Sequence, residues 1–351
     1  MKLRRVAMMI AAAAILACAT TCGPDTGGGA TPITGTRIWV GDQPDKEVLL
    51  YDATGALIKV VGGWGMFSKP NAIDIYTKDG SAWVCDFYTN RIRKFDASGN
   101  ALYASPTDES GWLVLNPTML SVSQSNGDCW IADRGNHRII RLGADGAVLA
   151  KITGFNFPRG VSASPTTGDT WVADEQNDAV VRISGGASGE IDVATVEMAR
   201  YSKMSRPWAV AADDTGGCWV TNGIDGQALR LDSQAGDPPA ASLGGFDDTV
   251  DVAVDTTEDR AYVLDGGLGV LAAFPLDLTG NYADFHEAAV LVISTLTDPA
   301  DVFVDETAGR SFVADAGSRT VRVFDGEGNE ITTITGLSGP GAVAAWSAPE
   351  D

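Results

Sequence analysis

The feature that most constrains the fold of this chain is a sequence unit that recurs along most of its length. Each copy opens with a Pro-x-x-apolar segment (Thr249 replaces Pro in one copy), alternates polar and apolar residues, turns, and continues close to aromatic-Val-x-Asp. The aromatic residue follows the start of the unit by 13 positions, or by 12 in one copy, and copies start 41 to 50 residues apart. This regular spacing predicts a repeat protein. The copies are residues 70–86, 117–133, 158–174, 207–222, 249–265 and 299–315.

Fragments of the unit at the two ends of the chain complete the count. Residues 38–42 form an aromatic strand with no Pro segment before it, and residues 340–346 form a Pro segment with no aromatic strand after it. Within each unit, the alternation and hairpin signals such as residues 96–100 predict four short strands. The sequence therefore predicts an all-β, seven-bladed β-propeller of four-stranded antiparallel blades. Its last blade takes the innermost strand from residues 340–346 and the outer three from residues 37–61.

The aromatic position of the unit carries a large ring in every blade. A ring at the same height in each blade fills the wedge between neighbouring sheets, so we expect these side chains to be core rather than ligand contacts. They are Trp39, Trp83, Trp130, Trp171, Trp219, Tyr262 and Phe312.

The residue that ends the aromatic strand is acidic in six copies and Asn in the other. One copy per blade keeps the oxygens of different blades too far apart to share a calcium ion, which needs them at about 2.3–2.6 Å. A carboxylate directly before a turn accepts backbone N–H groups, so we expect a structural role. The residues are Asp42, Asp86, Asp133, Asp174, Asn222, Asp265 and Asp315.

The turn after the aromatic strand carries a family resemblance. The segments Asp-Phe-Tyr-Thr-Asn-Arg-Ile (86–92), Asp-Arg-Gly-Asn-His-Arg-Ile (133–139) and Asp-Ala-Gly-Ser-Arg-Thr-Val (315–321) resemble the NHL repeat. The resemblance covers residues 37–346 and is weakest around 222–282. NHL propellers often have six blades, so seven is a departure. The family implies the fold, whereas it implies no single function, because fold and function separate readily.

The start of the chain has the layout of a secretory signal. Residues 1–17 place three positive charges before an apolar run too short to span a bilayer, which predicts a signal peptide. Residues 15–18, Ile-Leu-Ala-Cys, resemble a bacterial lipobox and imply lipid attachment at Cys18. An ordinary signal peptide that happens to contain a Cys is the alternative. Ala19 after the Cys implies, by the same resemblance, an outer membrane lipoprotein of the cell envelope, either periplasmic or surface-exposed.

The domain order follows from these segments. We expect residues 1–17 to be the signal peptide, 18–35 a lipidated flexible tether, 36–347 the propeller and 348–351 a tail. The formal net charge is −21, and loss of residues 1–17 makes it −24. Such a surface repels nucleic acid and anionic lipid, so we expect neither as a partner. We expect a monomer that reaches the membrane through its lipid anchor alone.

Few residue types suited to catalysis are present. The chain has two histidines, His137 and His286, so it cannot form a three-histidine zinc site. We find no segment that matches the metal motifs of lactonase-type propellers and expect no cofactor, although a Ser-His-Asp triad around either histidine stays open. Cys85, Cys129 and Cys218 occupy positions too far apart for a disulfide, so we expect buried free thiols.

The channel mouth is the candidate binding surface. In an up-and-down blade, the fourth-to-first and second-to-third connections emerge on one face, around the channel. Mixed charge with a Trp beside the innermost strands favours a binding or scaffolding module for a protein, peptide or glycan over an enzyme. A metal-dependent propeller enzyme of the lactonase or lyase type is the alternative. The predicted binding residues are Lys69, Asn71, Asn116, Arg159, Arg206, Trp208, Asp248 and Asp298.

Overall fold

The structure is a computed structural model that describes residues 35–62, 65–106 and 113–348. The described residues form seven β-sheets, and the innermost strands lie beside one another in chain order around a ring. The fold is therefore the predicted seven-bladed propeller. The predicted signal peptide, the lipid attachment site Cys18, nearly all of the tether and the end of the tail lie outside the described residues.

The chain enters the ring through the outer strands of blade 7 and then forms blades 1 and 2. Blade 7 begins with β1 (Thr36–Asp42), β2 (Glu47–Asp52) and β3 (Leu57–Val60). Blade 1 consists of β4 (Pro70–Tyr76), β5 (Ser81–Asp86), β6 (Arg91–Phe95) and β7 (Ala101–Ala104). Blade 2 consists of β8 (Leu120–Val122), β9 (Cys129–Asp133), β10 (Arg138–Leu142) and β11 (Val148–Thr153).

The next three blades follow the same order with two additions. Blade 3 consists of β12 (Pro158–Ala163), β13 (Thr170–Asp174), β14 (Ala179–Ile183) and β16 (Glu197–Tyr201), with β15 (Gly189–Asp192) before β16. Blade 4 consists of β17 (Val210–Ala212), β18 (Cys218–Asn222), β19 (Gln227–Leu231) and β20 (Ala241–Leu243). Blade 5 consists of β21 (Thr249–Asp255), β22 (Arg260–Asp265), β23 (Val270–Pro275) and β25 (Leu291–Ile293), with β24 (Gly280–Tyr282) before β25.

The ring closes with blade 6 and the last strand of the chain. Blade 6 consists of β26 (Pro299–Asp305), β27 (Arg310–Asp315), β28 (Thr320–Asp325) and β29 (Glu330–Ile334), and β30 (Pro340–Ser347) completes blade 7. Four single-turn 3-10 helices interrupt the described loops, at Arg134–Asn136, Glu175–Asn177, Val193–Thr195 and Phe285–Glu287.

Blade 7 is composite, as the sequence predicts. β30 pairs antiparallel with β1, which places Trp39 opposite Ala344, and β1 pairs with β2 on its other side. The first and last strands of the ring therefore share one sheet. This pairing removes the free strand edge that an open ring would expose.

Two blades carry a fifth strand that comes from the following blade. β15, in the long connection between β14 and β16, pairs parallel with β11 of blade 2. β24, between β23 and β25, pairs in the same way with β20 of blade 4. Lys151 and Glu190 add an ion pair of 2.7 Å across the first of these junctions. The outer edges of blades 2 and 4 are therefore covered by a neighbour.

The seven aromatic rings form the core between blades, which confirms the prediction. The five Trp side chains and Phe312 are at most 1% exposed, and Tyr262 is 3% exposed. Trp219 of blade 4 stacks against Phe274 of blade 5, with ring centroids 5.9 Å apart. Cys85, Cys129 and Cys218 are also buried as free thiols, and burial raises the pKa of each well above its ordinary value.

The recurring Asp holds the loop that leads into the innermost strand of its own blade. The buried carboxylate of Asp86 accepts the backbone N–H groups of Ser68 at 2.7 Å and Lys69 at 2.9 Å, and that of Thr89 at 3.2 Å. The structural role is confirmed. The contacts with Ser68 and Lys69 reach back 18 and 17 residues along the chain. They therefore fix the loops of the channel mouth. The same loop contact is made by Asp42, Asp133, Asp174, Asp265 and Asp315.

Candidate functional site

The central channel contains two connected cavities. The upper one, here called the mouth cavity, has a volume of about 490 Å³ and lies on the face of the fourth-to-first and second-to-third connections. The lower one, of about 220 Å³, lies between the innermost strands. Met119, Asp251 and Asp301 line both, so they mark the level at which the two cavities meet. The mouth cavity is lined by Lys69, Arg134, Arg159, Asp251, Asp298 and Asp301 together with Trp208.

Five of the eight predicted binding residues line the mouth cavity. Lys69 and Asn71 come from blade 1, Arg159 from blade 3, Trp208 from the entry to blade 4, and Asp298 from the entry to blade 6. The fold therefore brings together side chains that are up to 229 positions apart in the chain.

The other three predicted residues lie outside the lining of this cavity. Asn116 has a φ of 47° in its loop, and its backbone N–H donates to Asn90 Oδ1 at 2.8 Å. Arg206 turns sideways toward Glu175 of blade 3. Asp248 is largely exposed, and its pKa is raised first by partial desolvation and then by the neighbouring carboxylates Asp265 and Asp247.

Beneath the cationic part of the wall lies a carboxylate that the sequence analysis missed. Glu175, in the turn after β13, has a fully buried side chain. Its Oε2 accepts from Arg134 Nη2 at 2.9 Å and Nε at 3.2 Å, and its Oε1 accepts from Arg206 Nη2 at 2.6 Å. Burial raises the pKa of Glu175, but the hydrogen bonds from Arg206 and Arg134 outweigh burial and lower it. Glu175 is therefore an ionised anchor for two arginines.

Arg159 is the third arginine of this group and is held differently. Its guanidinium lies over the ring of the half-buried Trp208, and its Nη1 is 3.9 Å from Glu175 Oε2, beyond hydrogen-bond distance. Burial lowers its pKa to about 9, against the opposing effect of Glu175, so it is cationic at neutral pH. Within the described part of the chain, its side chain donates no hydrogen bond. Three guanidinium groups around one carboxylate leave two positive charges in excess.

The opposite wall of the cavity is acidic. Asp251 and Asp301 occupy the third position of β21 and β26, and their carboxyl groups hydrogen-bond to each other. Asp251 also accepts the N–H of Val302 at 3.0 Å, and Asp301 accepts that of Val343 at 2.7 Å. Burial, followed by the charge of Asp251, raises the pKa of Asp301 well above its ordinary value. Ionisation of one carboxyl group of this pair therefore disfavours ionisation of the other.

A second polar level lies lower in the channel. Asp74 accepts the N–H of Val122 at 2.7 Å, and Ser162 Oγ accepts that of Ala212 at 2.9 Å. In each case a side chain of one innermost strand receives a backbone N–H from the next blade. These contacts satisfy donors on the channel side of the innermost strands and connect adjacent blades. Burial raises the pKa of Asp74 to about 6.

Charge is divided around the mouth cavity by blade. Blades 1, 2 and 3 supply Lys69, Arg134 and Arg159, respectively. Blade 4 supplies Trp208, and blades 5 and 6 supply the acidic residues. Blade 7 contributes only uncharged lining. The cavity therefore has a positive side and a negative side, separated on one flank by an aromatic ring.

Neither histidine belongs to this site. His137 has a φ of 54° in its turn, and its Nδ1 accepts the N–H of Phe157 at 3.2 Å. His286 is exposed, with Nδ1 2.7 Å from Asp284 Oδ1. In residues 35–62, 65–106 and 113–348, no group of three or more His, Cys, Asp or Glu side chains is arranged to hold a metal ion. No helix in these ranges is long and apolar enough to cross a membrane.

Comparison with known proteins gives the fold and no family. No protein-family model matches the chain, and no curated protein matches it. A functionally unknown protein from Desulfotomaculum acetoxidans is similar in structure, with a TM-score of 0.70, 13% identity, and coverage of 90% of this chain and 100% of that chain. A 6-phosphogluconolactonase-like protein from Bacteroides fragilis has a TM-score of 0.67, 13% identity and coverage of 91% and 99%.

A third similar structure belongs to a protein of another activity. A catalytically inactive virginiamycin B lyase variant from Staphylococcus aureus, solved with quinupristin, has a TM-score of 0.59, 15% identity, and coverage of 77% of this chain and 85% of that chain. At these identities the similarity extends to the propeller fold alone. Because the similar structures differ in activity, function must be argued from the site.

Proposed function

We propose that this protein is a lipid-anchored, extracytoplasmic propeller that binds a peptide, protein or glycan ligand at its mouth cavity. One observation carries the proposal: charged side chains on the cavity wall have no hydrogen-bonding partner among the described residues. Arg159 donates no side-chain hydrogen bond, and the carboxylate of Asp298 accepts none. For the half-buried Arg159, partial removal from water without a hydrogen-bond acceptor costs free energy, and a complementary ligand offsets that cost.

The geometry of the ring supports this placement of the site. The Asp contacts of each blade fix the loops from which the cavity residues project, so the wall is preorganised before a ligand arrives. The volume of about 490 Å³ is within the usual range for small-ligand pockets. An open cavity whose charged groups keep free hydrogen-bonding capacity is typical of a binding module.

Binding at the mouth cavity can be tested by capture from a cell-envelope extract. The full chain is immobilised beside Arg159→Met and Trp208→Ala variants, and the retained molecules are compared by mass spectrometry. The matched controls are Lys151→Met in β11 and Met198→Ala in β16. Both residues lie on outer strands of the propeller and do not line the mouth cavity. Species that the wild type and both controls retain, and both mouth variants lose, support the proposal. Equal retention by all five proteins would place binding elsewhere.

The location is proposed from the lipobox resemblance around Cys18, together with the signal-like residues 1–17. A Cys18→Ser variant should move from the membrane fraction to the soluble fraction of cells, because the lipid is the proposed attachment. Metabolic labelling with a fatty acid should mark the wild type and leave the variant unlabelled. A variant that still sediments with membranes would refute the anchor.

A further inference from the structure

We infer that the ligand of the mouth cavity is a small zwitterion of the amino-acid or short-peptide class. Its carboxylate pairs with Arg159, and its ammonium group faces Asp298 and the Asp251–Asp301 pair. The inference rests on the proposed function, since it assumes that the mouth cavity is the binding site. It narrows the ligand to one chemical class.

The positive side of the cavity is built to accept one planar anion. Glu175 uses both oxygens on Arg134 and Arg206, which leaves the N–H groups of Arg159 available. The guanidinium of Arg159 lies over the Trp208 ring and presents its N–H donors as a planar fork. A carboxylate matches such a fork with two parallel hydrogen bonds.

The negative side disfavours ligands that are anionic throughout. Asp298 is exposed to the cavity, and its carboxylate accepts no hydrogen bond within the described residues; the carboxyl groups of Asp251 and Asp301 line the same wall. A phosphate ester would bring about two negative charges into a cavity with acidic residues on two adjacent blades. An ammonium group supplies up to three N–H donors to the same carboxylates. Charge of both signs on the ligand therefore satisfies both walls.

Uncharged ligands and simple cations satisfy only part of the cavity. A neutral sugar gives Arg159 and Asp298 no opposite charge, and leaving such groups poorly paired reduces affinity. A lone cation meets the excess positive charge around Glu175. Trp208 and Met119 lie on the wall beside the charged groups and offer apolar contact to the body of a ligand.

The test uses three matched dipeptide libraries: free, N-acetylated and C-amidated. Each library is passed over the full chain under the same conditions, and retained members are measured by mass spectrometry and then titrated individually by calorimetry. We expect members of the free library to be retained. Blocking either end should weaken binding about tenfold to a hundredfold, which is the usual effect of removing one partner from a charge-assisted hydrogen bond. Equal binding of free and blocked dipeptides would overturn the inference.

Variants of Arg159 and Asp298 test which end of the ligand, carboxylate or ammonium, lies at which wall of the cavity. Arg159→Gln should bind the free and the C-amidated forms equally, because the carboxylate has lost its partner. Asp298→Asn should reduce discrimination against the N-acetylated form. Lys151→Met, on the outer strand β11, should behave as the wild type. Melting curves check that each variant is folded. Unchanged discrimination in both mouth variants would refute the assignment.

Failure of the inference can be distinguished from failure of the proposed function. If envelope molecules are captured in a manner that depends on Arg159 and Trp208 while no free dipeptide is retained, the mouth cavity binds another class and only the inference is wrong. If neither dipeptides nor envelope molecules depend on these residues, the proposed function fails as well.

Discussion

Removing the carboxylate of Asp86 should destabilise the protein far more than removing that of Asp96, although both accept backbone N–H groups in blade 1. Asp86 is fully buried and accepts from Ser68, Lys69 and Thr89. Asp86→Ala leaves three donors without an acceptor, at about 1–2 kcal/mol each, so we expect a loss of about 3–6 kcal/mol. Asp96 accepts from Ser98 and Asn100 in an exposed turn, where water replaces the lost acceptor. We expect about 1 kcal/mol for Asp96→Ala.

Urea unfolding followed by circular dichroism and by tryptophan fluorescence measures both losses. The two signals should report the same midpoint in each variant, and the wild-type slope allows the midpoints to be compared as free energies. A loss for Asp86→Ala no larger than that for Asp96→Ala would refute the reasoning that burial makes the loop contact costly. The loss of stability for Asp86→Asn should be intermediate. The amide oxygen still accepts a backbone N–H, but the amide NH2 group replaces the second oxygen and faces a backbone N–H that it cannot accept.

Three further predictions follow from the fold. Truncation after Leu337 removes β30, and we expect loss of the cooperative unfolding transition in calorimetry because blade 7 loses its innermost strand; a melting curve like that of the wild type would contradict this. A chain that begins at residue 23 should expose three free thiols to Ellman's reagent when it is denatured without reductant, and one thiol would indicate a disulfide. Burial raises the pKa of Asp74 above its value in the unfolded chain, to about 6, so its ionisation opposes folding and the wild type loses stability as pH rises from about 4 to 6. The stability of Asp74→Asn relative to the wild type should rise over that interval and level off above it, whereas a constant difference in urea midpoint would exclude the effect.

Most of the architecture is predictable because it repeats. A ring such as Trp83 recurs 12 or 13 positions after the start of its unit in six blades, so several weak signals reinforce one another. The fifth strands β15 and β24 have no such support, since each occurs once and pairs with another blade rather than with its own. Parallel pairing between blades is a tertiary contact that local alternation does not reveal.

The candidate site was predictable only in part, because cavity lining depends on side-chain direction. Position relative to the Pro segment identifies Arg159 and Trp208 as mouth residues, and they are. It does not reveal that Arg206, two residues before Trp208, turns away to Glu175. Asp251 could have been recognised from the sequence as a candidate site residue. It occupies an innermost-strand position where most blades carry small or apolar residues.

The fifth strands make the junctions between neighbouring blades unequal in backbone pairing. β15 joins blade 3 to blade 2 by backbone hydrogen bonds at the rim, and β24 joins blade 5 to blade 4, so the ring contains two reinforced pairs. No described strand pairs across the junction between blades 3 and 4. Among the contacts near the axis at this junction are the stack of Arg159 on Trp208 and the ion pair of Arg206 with Glu175. A ligand bound to Arg159 beside Trp208 would therefore lie at the junction between these two strand-linked pairs, blades 2–3 and blades 4–5.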